Sequence, residues 1–399
     1  MKKTYIVSAK RTALGSFLGT LKNTHPSDLG AALVKAIIAE TGVTEIDEVI
    51  IGSVLQAGIG QGIGRQVSIK GGVKVETPAH AINNVCVSGM KVVGNAMASI
   101  QSGQGDIILA GGTESMSMAP FVTNADIRNG TKMGDIKLND HILADALLDV
   151  FEGYHMGITA EKVAEKYGIT REEQDEFAID SQKKAISAVD SGKFKAEILP
   201  ITVKLGREEI IFDTDEYPNR GTSLEKLAKL RAVFQKDGTV TAGNASGIND
   251  GASMTLIASE DAIKKHNLKP LVEIVSFAQM GIEPEIMGLG PIGAVKLALE
   301  KAELKLSDMD LIELNEAFAA QALGVIKGLS QEHDLTKEEI LARTNVNGGA
   351  IALGHPLGAS GNRIIVTLIH EMIRQNKTYG LASLCAGGGM GTAVVLKRV

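Results

Sequence analysis

The stretch NNVCVSGMKVV, residues 83 to 93, places a cysteine where a helix begins. Apolar residues recur from Met90 to Ile100 with helical spacing, which predicts a helix directly after Cys86. A cysteine at a helix start lies beside unpaired N–H groups and the positive end of the helix dipole, and both favour the thiolate. The alternative is that Cys86 is a small buried apolar residue, and this stretch alone does not separate the two interpretations.

The composition indicates a globular protein that acts on a small molecule. The chain has 399 residues, 44% of them hydrophobic, so it can bury two or three domains. Its formal net charge is −6, and no block of Lys and Arg predicts nucleic-acid binding. The first residues contain too few apolar side chains for a secretory signal, and no run is long enough to span a membrane. We therefore expect a cytoplasmic protein whose two cysteines are free thiols.

Buried runs that alternate with helical patterns predict an α/β fold. The runs are VIIGSVL (49–55), DIILAGG (106–112), LIEL (311–314) and GLASLC (380–385). Alternation of this kind is typical of mostly parallel sheets with helices on both faces.

The two ends of the chain resemble each other. TYIVSAKRT (4–12) is similar to VEIVSFAQM (272–280), EVIIGSV (48–54) to DLIELNE (310–316), and LAGG (109–112) to CAGG (385–388). Polar helices interrupt the repeat from residue 119 to about 249, and one of them opens with a capping box from Thr170 to Glu173. The predicted division is a half made of 1–118 and 250–270, an insertion at 119–249, and a second half at 271–399. A duplication of this kind brings both glycine-rich stretches to the seam between the halves.

The second cysteine opens a glycine-rich stretch, CAGGGMG, residues 385 to 391. Consecutive glycines let successive N–H groups converge on one point, as an oxyanion hole requires. The alternative is a tight turn into the last strand. A dinucleotide fingerprint fits poorly because a strand, and not a helix, follows the glycines.

Two further side chains complete a candidate site. His355 lies within NVNGGAIALGHPLGASG (345–361), where it can take a proton from a thiol and so supply the base of a Cys–His pair. Asn315 follows the strand LIEL, and its amide can hold a water against a substrate carbonyl. Structural alternatives are a hydrogen-bonded histidine in the core and an asparagine that caps the next helix.

Five motifs in the order NVCVSGM with AGGTESMS, GNASGINDGA, NEAFAAQ, NGGAIALGHPLGASG and CAGGGMG resemble the thiolase family over nearly the whole chain. The resemblance implies the thiolase fold, which is two similar βαβαβαββ halves packed as a five-layered αβαβα core with an inserted loop domain. It also implies an acyltransferase that reversibly condenses two acetyl-CoA molecules to acetoacetyl-CoA and CoA through an acetyl-Cys86 intermediate.

The resemblance assigns a role to each site residue. Cys86 matches the nucleophile, Cys385 the acid/base that deprotonates the second acetyl-CoA, and His355 the activator of Cys86. Backbone N–H groups of Cys86 and Gly387 match one oxyanion hole, and His355 with a water on Asn315 matches the other.

The resemblance also implies how substrate binds. Residues that match the CoA-binding positions are His155, Met156, Ser246, Phe318 and Arg220. His155 favours the short-chain, biosynthetic type, and Arg220 falls one position from where the family has its adenine-end arginine. No metal and no cofactor are expected, since CoA is a substrate and product, and the expected assembly is a homotetramer.

Other functions fit part of the pattern. A degradative 3-ketoacyl-CoA thiolase of broader chain length would carry the same motifs. An NAD-dependent aldehyde dehydrogenase would also form a thioester on cysteine, and a non-catalytic thiolase-like carrier would lack a cysteine or His355. Val87 departs from the small residue that usually follows the nucleophile, and we expect it to narrow the pocket or shift the local backbone.

Overall fold

The computed structural model describes residues 2–399, which form fourteen strands and twelve α-helices. The strands are β1 Thr4–Arg11, β2 Gly15–Ser16, β3 Glu48–Gly52, β4 Ala79–Ile82, β5 Ile107–Ser115, β6 Phe121–Thr123, β7 Leu138–Asp140, β8 Ile201–Leu205, β9 Glu208–Phe212, β10 Asn249–Ser259, β11 Val272–Gly281, β12 Leu311–Leu314, β13 Tyr379–Ala386 and β14 Met390–Arg398. The helices are α1 Pro26–Thr41, α2 Ile63–Lys70, α3 Ser88–Gln101, α4 Met156–Tyr167, α5 Arg171–Asp190, α6 Leu224–Ala228, α7 Glu260–His266, α8 Gly290–Ala302, α9 Ala319–Glu332, α10 Lys337–Arg343, α11 Ala350–Leu353 and α12 Leu357–Arg374.

The main sheet contains both halves of the predicted repeat. Its strand order is β12-β13-β14-β11-β1-β10-β5-β3-β4, and β1 joins β11 through only two residue pairs. Going toward this junction, one side of the sheet has the order β3, β5, β10, β1. The other side has the equivalent order β12, β13, β14, β11. In both sets the first two strands are parallel and the others antiparallel. The similar stretches found in the sequence therefore occupy equivalent strands.

Helices α3 and α12 lie between the two parts of the sheet. One buried cluster joins α3 and α12 to strands of both halves, through residues such as Ile50, Val93, Ile365 and Leu384. The opposite faces of the strands pack against α1 and α2 in one half and against α8 and α9 in the other. This gives helix, sheet, helix, sheet and helix layers, because each strand buries alternate side chains on opposite faces.

The segment between β5 and β10 is an excursion from this core, since the two strands pair directly with each other. It contains the β6–β7 and β8–β9 hairpins and helices α4 to α6. The capping box predicted at the start of α5 is confirmed: the Thr170 side chain accepts from the Glu173 N–H and the Glu173 carboxylate accepts from the Thr170 N–H. None of the helices within residues 2–399 is both long and apolar enough to cross a bilayer.

Candidate active site

The Cys86 loop connects the edge strand β4 to the central helix α3, which starts two residues after the cysteine. Val85 has φ 50, a left-handed conformation that is unfavourable for a β-branched residue. The Ser88 hydroxyl stabilises the loop, since it donates to the Val85 carbonyl at 2.6 Å and accepts from the Asn84 N–H at 2.8 Å. The fold therefore maintains a strained backbone directly before Cys86, as is common at functional sites.

The Cys86 thiol lies against the N–H groups expected to stabilise it. Burial raises its pKa to about 11, although the backbone N–H groups of Gly387 and of Cys86 itself oppose that shift. The predicted preference for the thiolate is therefore wrong for the resting protein, because desolvation outweighs the N–H groups. The thiol needs a base that accepts its proton.

Cys385 lies near the end of β13 and pairs with Gly391 of β14. It is 1% exposed, and burial raises the pKa of its thiol, with a further rise caused by the charge of Cys86. Gly388 and Gly389 take φ values of 80 and 85 in the turn between the strands. The glycine stretch is thus both a tight turn and, through Gly387, a source of N–H groups toward Cys86.

His355 lies in the turn between α11 and α12, with its backbone N–H donating to Asn249 Oδ1 at 3.0 Å. Its Nδ1 is 2.6 Å from the Ser360 hydroxyl, which itself donates to the Pro356 carbonyl at 2.9 Å. The serine proton is thereby committed to the carbonyl, which assigns a proton to Nδ1 and leaves Nε2 free to accept. Burial, together with the positive charge of Arg363, lowers the pKa of His355 to about 3, so the imidazole is neutral.

Asn315 follows β12 and brings its amide to His355. The Asn315 Nδ2 lies 3.5 Å from His355 Nε2, and its buried Oδ1 has no hydrogen-bond partner among the described residues. The helix after it begins at Ala319 with Phe318 as its N-cap, so the capping alternative is wrong. The amide remains available to bind a water or a substrate oxygen.

Glu114 of β5 joins the loops from both halves, and the sequence reasoning missed it. Its carboxylate accepts hydrogen bonds from the N–H groups of Val54 at 2.9 Å, Leu55 at 3.1 Å and Gly358 at 2.8 Å. Burial raises its pKa to about 7. The signal that could have found Glu114 is a charged residue placed two positions after the apolar run 106–112.

Family models match both halves of the chain around this site. The thiolase N-terminal domain matches residues 4–261, and the thiolase C-terminal domain matches residues 268–398. The chain belongs to the thiolase family. The family resemblance of the sequence motifs is therefore confirmed.

Named relatives and solved structures agree with this assignment. The chain is 51% identical to the acetyl-CoA acetyltransferase of Pseudomonas aeruginosa over 100% of both chains. The crystal structure of the Bacillus anthracis acetyl-CoA acetyltransferase superposes with TM-score 0.95 at 41% identity, covering 100% of this chain and 99% of that one. Human mitochondrial 3-ketoacyl-CoA thiolase gives TM-score 0.94 at 45% identity with the same coverage. The predicted thiolase fold is confirmed by these structures.

In this thiolase, four of the predicted CoA-binding residues lie together on the Cys385 side: His155, Met156, Ser246 and Phe318. The ring of His155 stacks on Phe234 at 4.5 Å, and Phe234 meets Phe318 edge-on at 6.3 Å. Ser246 donates its N–H to the Ala317 carbonyl beside Phe318. Met156, Phe318 and Cys385 belong to one apolar cluster. Phe234 was missed because it lies in a loop with no motif that identifies it.

The predicted adenine-end residue Arg220 lies outside this apolar cluster. Its guanidinium donates to both oxygens of Asp190, at 3.0 and 2.6 Å, on the surface. A neighbouring groove of about 650 Å³ is lined by Asn219, Gly221 and Lys226. Arg220 is therefore near the groove in sequence, but its charge is already paired.

Val87, the departure from the family pattern, does not face the candidate site. Its side chain is 0% exposed and packs in the central cluster with α3 and α12. Its backbone has φ −85 and ψ −1, an ordinary helical conformation. The expectation that the Val87 side chain narrows the pocket is therefore wrong, whereas a shift of the local backbone stays a prediction. Within residues 2–399 no group of three or more acidic, His or Cys side chains has an arrangement that could hold a metal ion.

Proposed function

We propose that this thiolase is an acetyl-CoA C-acetyltransferase, which reversibly condenses two acetyl-CoA molecules to acetoacetyl-CoA and CoA. Full-length relatives named acetyl-CoA acetyltransferase support the activity. The observation that carries the proposal is that Cys86 and Cys385 lie together at the Gly387 turn. The Gly387 N–H lies against the Cys86 thiol, and a negative charge on Cys86 raises the pKa of Cys385. The neutral imidazole of His355 supplies the base.

In the first half of the reaction, Nε2 of His355 takes the Cys86 proton and the sulfur attacks the carbonyl carbon of acetyl-CoA. The N–H groups of Cys86 and Gly387 stabilise the oxyanion of the tetrahedral intermediate. The bond to the CoA sulfur then breaks, CoA leaves with the proton from His355, and the acetyl group remains on Cys86. Because His355 is neutral at rest, it is ready to accept that proton.

In the second half, the Cys385 thiol passes its proton to Nε2 of His355, and the resulting thiolate removes a methyl proton from a second acetyl-CoA. The protonated Nε2 and a water on the Asn315 amide stabilise the enolate oxygen. The enolate carbon attacks the acetyl carbonyl, the bond to Cys86 breaks, Cys86 takes the proton back from His355, and acetoacetyl-CoA leaves. A thiol with a raised pKa suits this step, because a strong base is needed to deprotonate a weak carbon acid.

CoA acts as substrate and product in this proposal, and no separate cofactor or metal takes part. The row formed by His155, Phe234 and Phe318 supplies an apolar wall for the pantetheine arm on the Cys385 side. Ser246 lies next to that wall, and Met156 lies at its end nearest the cysteines. The proposed cellular location stays the cytoplasm predicted from the sequence.

We also propose a homotetramer that uses the β6–β7 hairpin. Phe121 is 65% exposed, Met133 is 94% exposed and Leu138 is 59% exposed on and beside that hairpin. Contiguous exposed apolar side chains mark interaction sites on soluble proteins. Sedimentation equilibrium should give the mass of four chains, and a mass of one chain at micromolar concentration would contradict the proposal.

Intact-mass spectrometry after mixing with acetyl-CoA tests the proposed function. The expected result is one added acetyl group, which tryptic digestion places on the peptide that contains Cys86. A matched sample of Cys385→Ser should gain the same group, since acyl transfer does not need Cys385. An unmodified protein, or an acetyl group on another residue, would contradict the ping-pong route.

A further inference from the structure

The first turns of the two central helices touch each other at glycine residues. A Cβ atom at Gly89, in the first turn of α3, would lie 2.7 Å from the carbonyl oxygen of Gly358, in the first turn of α12. A Cβ atom at Gly52, at the end of β3, would lie 2.8 Å from the Gly89 nitrogen and 2.9 Å from the same Gly358 oxygen. Backbones approach this closely only where glycine leaves room. The contact therefore fixes how the start of α3 meets the start of α12.

Each catalytic candidate directly precedes one of these two turns. Cys86 lies two residues before α3 begins, and His355 lies two residues before α12 begins. Ser360, whose hydroxyl is 2.6 Å from His355 Nδ1, belongs to the same first turn as Gly358. A shift between the two helix starts would therefore move the imidazole relative to the Cys86 thiol.

The Glu114 carboxylate is a polar link at this contact. Its Oε2 accepts from the Gly358 N–H at 2.8 Å and from the Val54 N–H at 2.9 Å, and its Oε1 accepts from the Leu55 N–H at 3.1 Å. Val54 and Leu55 belong to an apolar cluster against which Cys86 packs. One carboxylate thereby connects the segment beside the proposed nucleophile to the helix that follows the proposed base.

A negative charge on Glu114 suits these partners. All three hydrogen bonds come from backbone N–H groups, and Gly358 lies in the first turn of an 18-residue helix, where the helix dipole favours an anion. Hydrogen bonds to a carboxylate are also stronger than those to a neutral acceptor. A protonated carboxyl group would replace one acceptor with an O–H donor that faces N–H donors. Ionised Glu114 therefore holds the contact more firmly than neutral Glu114.

Burial and a second carboxylate oppose that charge. Glu114 is 1% exposed, and burial together with the charge of Asp250 raises its pKa to about 7. Asp250 lies on the neighbouring strand β10, and its Oδ1 accepts from the Ser117 N–H at 2.9 Å. The charge of Glu114 in turn raises the pKa of Cys86. The titratable groups around Glu114 are therefore Asp250 and Cys86, together with His355 in the turn before α12.

We propose that Glu114 is a positioning residue of the thiolase site, and that its ionised carboxylate holds the turn before α12 where His355 Nε2 can take the proton from Cys86. The proposal rests on the proposed function, because that function makes this proton transfer a step of catalysis. The hydrogen bonds of Glu114 end on loop and helix N–H groups and not on the aromatic wall proposed for the pantetheine arm. Glu114 should therefore affect the rate of acyl transfer and not the binding of acetyl-CoA.

A variant of the same shape separates positioning from binding. Glu114→Gln replaces one acceptor oxygen with an NH₂ donor, which leaves a backbone N–H unpaired. The maximal rate of acetyl-Cys86 formation, measured by stopped flow, should fall ~10-fold to ~100-fold, since a misplacement of about 1 Å can slow a reaction ~100-fold. The acetyl-CoA concentration that gives half of this rate should change by less than ~2-fold, because no binding contact is removed.

Asp310→Asn is the matched control. The Asp310 carboxylate also accepts from two backbone N–H groups, of Thr378 at 2.9 Å and of Tyr379 at 3.0 Å. It precedes β12, at the opposite end of that strand from Asn315. Its acetylation rate should stay within ~2-fold of the parent rate even where its unfolding free energy falls, because distant sites act independently.

The pH dependence of the parent protein tests the charge without any substitution. Between pH 8 and pH 5.5 its acetylation rate should fall at least ~10-fold, because Glu114 takes up a proton as the pH falls through its pKa of about 7. Cys86 and His355 do not titrate in this range, since their pKa values are about 11 and about 3. Glu114→Gln has no proton to take up, so its slower rate should change by less than ~2-fold over the same range.

A second variant should move this pH dependence. Asp250→Asn keeps the oxygen that accepts from the Ser117 N–H and removes the like charge beside Glu114. The pKa of Glu114 should then fall, and the loss of rate should begin at a lower pH than in the parent. A loss of rate at an unchanged pH would show that another group titrates, and would overturn the proposal.

The remaining outcomes separate this inference from the proposed function. If the parent gains no acetyl group from acetyl-CoA, the proposed function fails. If the parent is acetylated and Glu114→Gln reacts at the same rate, or slows only as much as Asp310→Asn, Glu114 has a structural role and this inference alone fails. If Glu114→Gln does not fold, the parent decides, because an acetylation rate that is equal at pH 8 and pH 5.5 would also overturn the inference.

Discussion

The two cysteines of this chain differ in their position in the fold and in what their sulfur atoms contact. Cys86 is partly exposed, lies before a helix and has N–H groups against its thiol. Cys385 is 1% exposed, lies within a strand and packs among apolar side chains. Burial raises the pKa of both thiols, to about 11 for Cys86 and further for Cys385.

This difference supports the proposed roles of Cys86 as the nucleophile and Cys385 as the base. The N–H groups of Cys86 and Gly387 can stabilise the oxygen that becomes charged when the Cys86 sulfur attacks, whereas only its own backbone N–H lies against the Cys385 thiol. The higher pKa of Cys385 makes its thiolate the stronger base, which suits removal of a proton from carbon. In this proposal, two chemically identical side chains take different roles because their burial and the backbone around them differ.

Removal of the base should affect Cys86 more than Cys385 and so sharpen the comparison. His355→Gln deletes the Nε2 proposed to accept the Cys86 proton, and acetyl transfer should slow by ~100-fold to ~10,000-fold, the usual contribution of a general base. Stopped-flow measurement of acetyl-Cys86 formation checks this, with the parent protein as control. Unchanged acetylation would show that another group deprotonates Cys86.

The same variant tests whether His355 is neutral in the folded protein. Its pKa falls from 6.5 to about 3 on folding, so the unfolded chain binds the proton more readily below pH 6.5. Between pH 7 and pH 5 the parent should therefore lose ~2 kcal/mol more unfolding free energy than His355→Gln, at 1.36 kcal/mol per pKa unit. Urea unfolding at both pH values measures the difference, and parallel losses in the two proteins would contradict a neutral His355.

A smaller effect is expected from the hydroxyl that orients the imidazole. Ser360→Ala removes the acceptor of His355 Nδ1–H and should slow acetylation of Cys86 by up to ~10-fold, since one neutral hydrogen bond contributes ~0.5–1.5 kcal/mol. Ser360→Thr keeps the hydroxyl and should restore most of the rate. Equal slowing in both variants would point to packing in α12 and not to the tautomer of His355.

The sequence predicted the repeat, the insertion and the positions of the catalytic candidates because each of these leaves a local pattern. Apolar runs indicate the strands, the start of a helical pattern marks Cys86, and glycine-rich stretches mark the turns near His355 and Cys385. Asn315 was ambiguous because one asparagine can cap a helix or bind a water, and only the start of α9 at Ala319 excludes the cap.

Features that depend on packing between distant segments were not predicted. Glu114 accepts hydrogen bonds from loops of both halves, and Phe234 stacks on His155. The pKa of Cys86 was predicted in the wrong direction because the helix start is visible in the sequence, whereas the depth of burial is not. The same reason explains Val87, whose core position appears only once α3 packs on α12.

Isotope exchange tests the division of roles between the two cysteines most directly. Exchange of labelled CoA with acetyl-CoA reports acyl transfer, and loss of deuterium from methyl-labelled acetyl-CoA reports proton removal from carbon. Cys385→Ser should keep CoA exchange and lose deuterium release by at least ~100-fold, whereas Cys86→Ser should lose both. Deuterium release without CoA exchange in Cys385→Ser would reverse the two roles and contradict the account.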